Sequence, residues 1–483
     1  MNIIRPFNVK LSTAWLAVLS LLWILTGCSS SAITSLPESP PVTPAVLTPL
    51  PTTPTPFLAR IIVDSSIKYQ TLEDVGGGNF IHRYGGAQQA LEPVSQLNID
   101  LLSPTIARVS IDLDQWEPQN DNEDPDQINQ AAFQDLPGSS VRSTFDFLRL
   151  FDQMGTDQIL IGSIWHVPAW LVENPEDESS LIISKDMIPE AIESISSWIL
   201  HARDVYGIEI DYISFNEANL GVKVFLTGED TIDFIKEAGP YFDQLGIGAK
   251  WLLADASNMG ETVSYARAIY SDPTIHLYLG PLAYHSWDYM ASDHTLTAIS
   301  EFAEANNLEV WCTEGGWNPF LWQTPREFPT WTNAINQAIT YSRLVKLTRA
   351  TRLLYWEMVG GDYSLNDGTQ PYPILSFLTE FKKQFPPGSQ VIYTSADYSN
   401  LKFVAAQSEN TNENNGGISL LIVNRFHKPE RVVIEGLPAG EYTLLRSSRS
   451  ETNRPIWTVR LEGENLELEI AASSINFLTT RSP

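Results

Sequence analysis

The chain has 483 residues, room for one large domain and a smaller one, and with 43% hydrophobic against 18% charged residues it can bury a sizeable core. Its 58 acidic side chains outnumber 30 basic ones, for a formal net charge of -28. That balance, with no Lys/Arg cluster, excludes nucleic-acid binding and disfavours strongly anionic polymers.

Residues 1–27 read as a targeting segment. Arg5 and Lys10 supply positive charge, and an apolar run over 14–25 is too short for a comfortable membrane span. The run closes on Leu25-Thr26-Gly27-Cys28, which resembles the bacterial lipobox. In such signals the cysteine is lipid-modified and becomes the new N-terminus. The expectation is an exported cell-envelope lipoprotein, held to a membrane through Cys28. Only one other cysteine exists, Cys312, in an apolar run where it reads as a small core residue. Residues 28–57 are rich in Pro, Ser and Thr, a composition that favours extended conformations and suits a tether.

From residue 58 the pattern changes. Residues 60–68 look like a strand that precedes, and so pairs outside, the units that follow. Residues 75–80 contain Gly76, Gly77 and Gly78 and read as the first strand of a repeating series. Further strand-like runs fall at 106–111, 158–165, 210–215, 251–256, 282–285, 309–313 and 353–356. They alternate with helical stretches such as 189–206 and 332–347. Eight strands alternating with helices predict an α/β fold, a (β/α)8 barrel over 72–385. Residues 117–140, rich in Asn, Asp and Gln, read as a long loop after the second strand.

Polar groups recur at the C-terminal ends of these strands, where such barrels carry their chemistry. They include Asn79, Arg108, Asp112, Trp165, His166, Asn216, Glu217, Asp255, His285, Trp287, Glu314, Trp317 and Glu357. Glu217 and Glu314 each follow a buried strand, and two facing carboxyls are what glycoside cleavage needs. One must stay protonated for the leaving oxygen and the other ionised to attack the anomeric carbon. On this reading Glu217 is the acid/base and Glu314 the nucleophile, with Glu357 as the rival nucleophile. Asn216 contacts the sugar 2-hydroxyl. Arg108, with Tyr284 or His285, holds Glu314 ionised. Trp165, His166, Trp287, Trp317 and Trp356 complete the expected substrate contacts. Neither cofactor nor metal is expected, the seven histidines containing no pair at ligand spacing.

These residues resemble the retaining glycosidases of clan A, in which the acid/base Glu follows an Asn at the fourth strand and the nucleophile Glu ends the seventh. Asn216-Glu217 and Thr313-Glu314 match that pattern. More narrowly the chain resembles glycoside hydrolase family 30. The segment Gln70-Thr71-Leu72-Glu73-Asp74-Val75-Gly76-Gly77 is similar to the family's lead into its first barrel strand. Arg108 stands at the family's second-strand Arg, and Trp165-His166-Val167-Pro168-Ala169-Trp170 is similar to its Trp-Ser-Pro-Pro-x-Trp. His166, Val167 and Ala218 depart from the family pattern, Ala218 replacing the Pro that usually follows the acid/base. The resemblance also implies a β-sandwich beside the barrel, joined by the strand in 58–71, and a cis peptide after Trp356. Residues 386–483 support the sandwich with short strand-like runs at 401–406, 417–424, 431–434, 440–445, 458–461, 466–470 and 474–479.

The expected activity is therefore retaining hydrolysis of a β-linked oligo- or polysaccharide by double displacement, in a monomer. Two alternatives use the same barrel: a non-catalytic carbohydrate-binding lipoprotein and a transglycosylase.

Overall fold

The structure is a computed structural model. It describes residues 58–81, 92–155, 157–177, 180–359, 363–397, 400–409, 417–463 and 465–481. The targeting segment, Cys28 and the tether lie outside these. Among the described residues no helix is long and apolar enough to cross a membrane.

Eight strands close a parallel barrel: β2 (Asp74–Phe80), β3 (Ile106–Asp112), β4 (Ile159–His166), β6 (Tyr212–Phe215), β8 (Lys250–Ala256), β9 (Leu279–His285), β10 (Val310–Gly315) and β11 (Arg352–Tyr355). The short strands β5 (Ser180–Leu181) and β7 (Lys223–Val224) pair with each other outside it. The barrel strands are nearly all buried on both faces, as expected when helices cover a parallel sheet. Helices Ile188–Tyr206 and Trp331–Arg343 fall where the sequence predicts them, the second continuing through a π-helical turn at Leu344–Thr348. Glycines sit where backbones crowd. A Cβ on Gly78 would stand 1.9 Å from the Met358 side chain, so only glycine lets this strand pack there.

Inside the barrel, side chains stack in layers set by the two-residue strand period. A lower apolar layer holds Ile106, Ile161, Leu252, Ala283, Trp311 and Leu354. Two residues further along the strands stand Arg108, Ser163, His285, Thr313 and Trp356. The same alternation that fills the barrel floor therefore presents a polar layer at its C-terminal end.

The remaining strands form one nine-stranded mixed sheet, in the order β17-β16-β19-β14-β13-β12-β1-β15-β18. Its members are β1 (Ala59–Leu72), β12 (Ser389–Ala396), β13 (Lys402–Ser408), β14 (Gly417–Asn424), β15 (Glu430–Glu435), β16 (Gly440–Ser448), β17 (Glu451–Leu461), β18 (Leu466–Ile470) and β19 (Ser474–Thr479). Strand β1 pairs antiparallel with β12 and parallel with β15, so the N-terminal strand is built into the C-terminal sheet. Ile61, Leu420, Val432, Tyr442 and Leu468 share one core although their strands are spread along the sheet. The sheet is thus folded on itself as a sandwich. Strand β12 is absent from the sequence reading, which begins the sheet's C-terminal run at 401.

Candidate active site

Arg108 lies at the centre of the polar layer and is fully buried. Its Nη1 donates to Glu314 Oε1 at 2.7 Å and Asn79 Oδ1 at 3.0 Å. Its Nη2 donates to Asn216 Oδ1 at 2.7 Å, Ser163 Oγ at 2.9 Å and Asp255 Oδ2 at 3.0 Å. One guanidinium thus holds side chains from five other strand ends, a use of its rigid fork that lysine cannot copy.

Asp255 is out of phase with the strand alternation. Ala254 and Asp255 have φ of 78° and 44°, and the pairing of β8 with β9 slips between Ala254 and Ala256. This strained bulge directs Asp255 inward, where it also accepts from Ser214 Oγ at 2.6 Å and Thr313 Oγ1 at 2.5 Å. Burial works against charge on Asp255, but Arg108 and His285 outweigh it and hold the carboxyl far below its ordinary range.

His285 bridges the two glutamates. Its Nδ1 stands 2.8 Å from Glu217 Oε1 and 3.2 Å from Glu314 Oε2, and its Nε2 stands 3.4 Å from Asp255 Oδ1. Burial disfavours a charged ring here, yet Glu314, Asp255 and Glu217 outweigh it and raise its pKa to about 10. His285 is therefore an imidazolium at neutral pH, its Nδ1 donating to Glu217 and its Nε2 facing Asp255 at ion-pair distance.

Trp287 Nε1 donates to Glu314 Oε2 at 3.0 Å. Its ring fits over Gly316, where a Cβ would come within 2.2 Å. Glu314 thus receives Arg108 on one oxygen, Trp287 and His285 on the other. Its pKa stays above the ordinary carboxylate value: burial raises it most, His285 and Arg108 offset part of that, and Glu217 and Asp255 add repulsion.

Glu217 follows β6 with a left-handed backbone, φ 48°. This conformation is uncommon for a non-glycine residue, and it marks a position held by its surroundings. The Glu217 side chain is 13% exposed against 4% for Glu314, so it is the acid that faces the cleft more openly. One oxygen from each glutamate and one ring nitrogen of His285 lie within 4.8 Å of one another. Beside them, the buried Nδ2 of Asn216 has no acceptor among the described residues.

Aromatic rings surround this pair. Trp165 stacks on Trp356 at 5.6 Å, and Trp287 meets Trp356 edge-on at 6.4 Å. The Trp356–Glu357 peptide is cis. His166 Nδ1 lies 2.8 Å from Asp112 Oδ1. Trp317 donates to Asn333 Oδ1 at 2.7 Å and meets Tyr289 edge-on. Cys312 is buried with its thiol pushed well up by burial, an inert core group.

Tyr284 is the exception among the predicted site residues. One position before His285, it points to the opposite face of β9, and its hydroxyl pairs with Thr348 Oγ1 at 2.7 Å among the covering helices. The imidazole, not the phenol, holds Glu314. The sequence reading also passed over Ser163 and Ser214, whose small hydroxyls carry no signal in an apolar strand, and gave Asp255 a place at a strand end but no role.

No protein-family profile matches this sequence, and neither does any curated protein. Solved structures do match. A GH30 endoxylanase from Clostridium papyrosolvens superposes with a TM-score of 0.66 at 16% identity, covering 88% of this chain and 100% of its own. An endo-β1,6-glucanase, BT3312, matches with a TM-score of 0.57 at 16% identity over 89% of this chain and 95% of its own. A GH39 enzyme from Xanthomonas axonopodis pv. citri matches with 0.56 at 11% identity over 88% and 97%. The chain thus has the fold of the family 30 glycoside hydrolases and their clan A neighbours, a (β/α)8 barrel carrying a β-sandwich built from both ends of the sequence.

Proposed function

We infer that this protein is a retaining β-glycoside hydrolase, with Glu217 as acid/base and Glu314 as nucleophile. The observation that carries this is the pair itself: two glutamates with oxygens within 4.8 Å, one of them held by Arg108, His285 and Trp287. Retaining enzymes keep their carboxyls about 5–5.5 Å apart, whereas inverting ones need about 6.5 Å or more to admit a water. Glu314, facing two cations, attacks the anomeric carbon as carboxylate and forms a glycosyl-enzyme ester while the aglycone oxygen takes the proton of Glu217. Glu217, now a carboxylate, then removes a proton from water, which attacks the anomeric carbon, breaks its bond to Glu314 and releases the sugar with retained configuration and Glu314 as a free carboxylate. The unpaired Nδ2 of Asn216 supplies a donor for the sugar 2-hydroxyl, a contact that strengthens as positive charge develops. Trp165, Trp287, Trp317, Trp356 and His166 provide the apolar faces and polar edge against which a neutral sugar packs.

The structural neighbours include proteins described as a xylanase and a β1,6-glucanase, so β-linked neutral glycans form the first panel to assay. Release of sugar, with the anomer followed by NMR from the first turnover, tests the reading. Retained configuration with loss of activity in both Glu217→Ala and Glu314→Ala supports it, and first-formed product of inverted configuration overturns it. A wild type inert on every glycan but still binding one favours a carbohydrate-binding lipoprotein. Products lengthened by an added acceptor sugar favour a transglycosylase. The protein is further proposed to act as an exported monomer anchored through a lipid on Cys28. Replacing Cys28 by Ser is expected to release it from membranes.

A further inference from the structure

A second group of acids lies apart from this site. After Asp112 the chain makes one turn of helix at Leu113–Trp116 and then runs irregularly until helix Ser140–Asp152. This segment lies against helix Ile188–Tyr206, which turns Glu190 and Glu193 toward it. One carboxylate oxygen from each of Glu117, Asp121 and Glu193 lies within 4.8 Å of the others. Glu117 and Glu193 are fully buried, and Glu190 is 7% exposed.

The cluster is short of positive partners. Asp121 accepts from Asn122 Nδ2 and the Asn129 amide, and Glu117 Oε1 accepts from the Asp121 amide. Both oxygens of Glu193 are buried with no donor among the described residues, while Glu117 and Glu190 have only the neutral side chains of Ser194 and Asn120 beside them. The charged groups acting on Glu193 are all acids: Asp121, Glu117 and Glu190. A buried carboxylate without donor or cation is among the costliest groups a fold can hold. Burial, with the neighbouring acids, pushes Glu193 up to about 9 and Glu117 up to about 7. In the Glu217–His285–Glu314 group, by contrast, Arg108 and the imidazolium supply the counter-charge.

We propose that Glu117, Asp121 and Glu193, with Glu190 beside them, bind a hard divalent cation, calcium in preference to magnesium. The donors are all oxygen, which suits calcium or magnesium and disfavours zinc or copper. Calcium accepts several carboxylates and carbonyls in an irregular cage at about 2.3–2.6 Å, whereas magnesium holds near-octahedral geometry at about 2.0–2.1 Å and keeps most of its waters, so a site of three or four carboxylates beside an irregular segment suits calcium. The irregular segment offers backbone carbonyls for the remaining positions. Occupancy would fasten the segment at a point already tied down by Trp170 Nε1, which donates to the Glu117 carbonyl at 3.1 Å. The segment leaves the same end of β3 that carries Asp112 and Arg108, so the ion fixes the approach to the catalytic end without touching it.

The test uses the full chain stripped with EDTA, then titrated with CaCl2 or MgCl2 by calorimetry and followed by thermal unfolding. One saturable calcium site is expected, with magnesium at least about tenfold weaker. A hundredfold excess of calcium over Kd should raise Tm by about 3 °C or more. Glu193→Gln is expected to weaken calcium binding at least about tenfold, yet to melt in EDTA no lower than wild type, because the neutral amide has the shape of the carboxyl and needs no counter-charge when buried. Should that variant fail to fold, half-exposed Asp121→Asn replaces it in the binding measurement. No heat and no Tm shift with calcium, or wild-type affinity in the variant, overturns the proposal.

Discussion

Two groups of buried carboxylates lie within this one barrel, and they are neutralised in opposite ways. At the strand ends, Asp255, Glu314 and Glu217 share Arg108 and the His285 imidazolium, so every acid has a cation within hydrogen-bond or ion-pair reach. Between the 117–139 segment and helix Ile188–Tyr206, Glu117, Asp121, Glu190 and Glu193 have only one another and a few neutral donors. The first arrangement keeps its charges fixed before any ligand arrives, which is what stabilising a charged transition state demands. The second leaves its charges to be neutralised by protons or by an ion from solution. Burial alone therefore does not distinguish the two groups; the source of the counter-charge does.

The largest effects are expected where the paired site is broken at its reacting atoms. Glu314→Ala and Glu217→Ala should each lower kcat on a responsive glycan by about 10³-fold or more, a barrier increase of about 4 kcal/mol. Glu357→Ala, removing the rival acid, is the control: loss of the covalent intermediate there but not in Glu314→Ala would reassign the nucleophile. The next largest effect concerns stability. Arg108→Met leaves Asp255 and Glu314 buried without their main cation, and breaking a buried pair in this way costs about 3–5 kcal/mol. Urea unfolding measures it, and a loss below about 1 kcal/mol would mean the cluster relaxes by other routes.

His285 sharpens the same comparison through pH. Its folded pKa is raised above the ordinary 6.5 to about 10. Its contribution to stability is thus fully present below pH 6.5 and is lost as pH rises through about 10. The gap in urea midpoint between wild type and His285→Gln should shrink across that window, and a constant gap would show the ring to be neutral in the fold. Glu193→Gln gives the converse in the second cluster: with chelator present it is expected to leave stability unchanged or to raise it slightly. Equal losses in Arg108→Met and Glu193→Gln would erase the distinction between the two groups.

The unequal legibility of the two clusters has a physical basis. All eight barrel strands are visible in sequence because both faces are buried, so each reads as a short apolar run that ends where polar residues begin. Glu217 and Glu314 stand at such ends and declare themselves. Asp255 does not, because its inward direction depends on a bulge with two left-handed residues in an otherwise ordinary strand. Strand β12 is missed for a different reason: Ser389–Ala396 mixes buried and half-buried positions and lacks a clean alternation. The second acid cluster joins residues about 70 positions apart, on a loop and a helix whose charges look like ordinary solvated surface. Only the packing of that loop on that helix buries them.

Tyr284 gives the smallest expected effect and the finest test of how the barrel sorts its residues. Tyr284 and His285 are adjacent, both polar-tipped and both fully buried. Because strand side chains alternate, one faces the catalytic layer and the other the covering helices, and nothing in their identity says which. The structure directs the Tyr284 hydroxyl to Thr348, whose own hydroxyl donates onward to the Leu344 carbonyl at 2.6 Å. Tyr284→Phe is therefore expected to cost about 1 kcal/mol of stability, the worth of one neutral hydrogen bond, with kcat and KM unchanged. His285→Phe at the next position should lower kcat as well as stability, because it removes the cation between Glu217 and Glu314. If Tyr284→Phe instead changes KM, the phenol reaches substrate and the register assigned to β9 at its catalytic end is wrong.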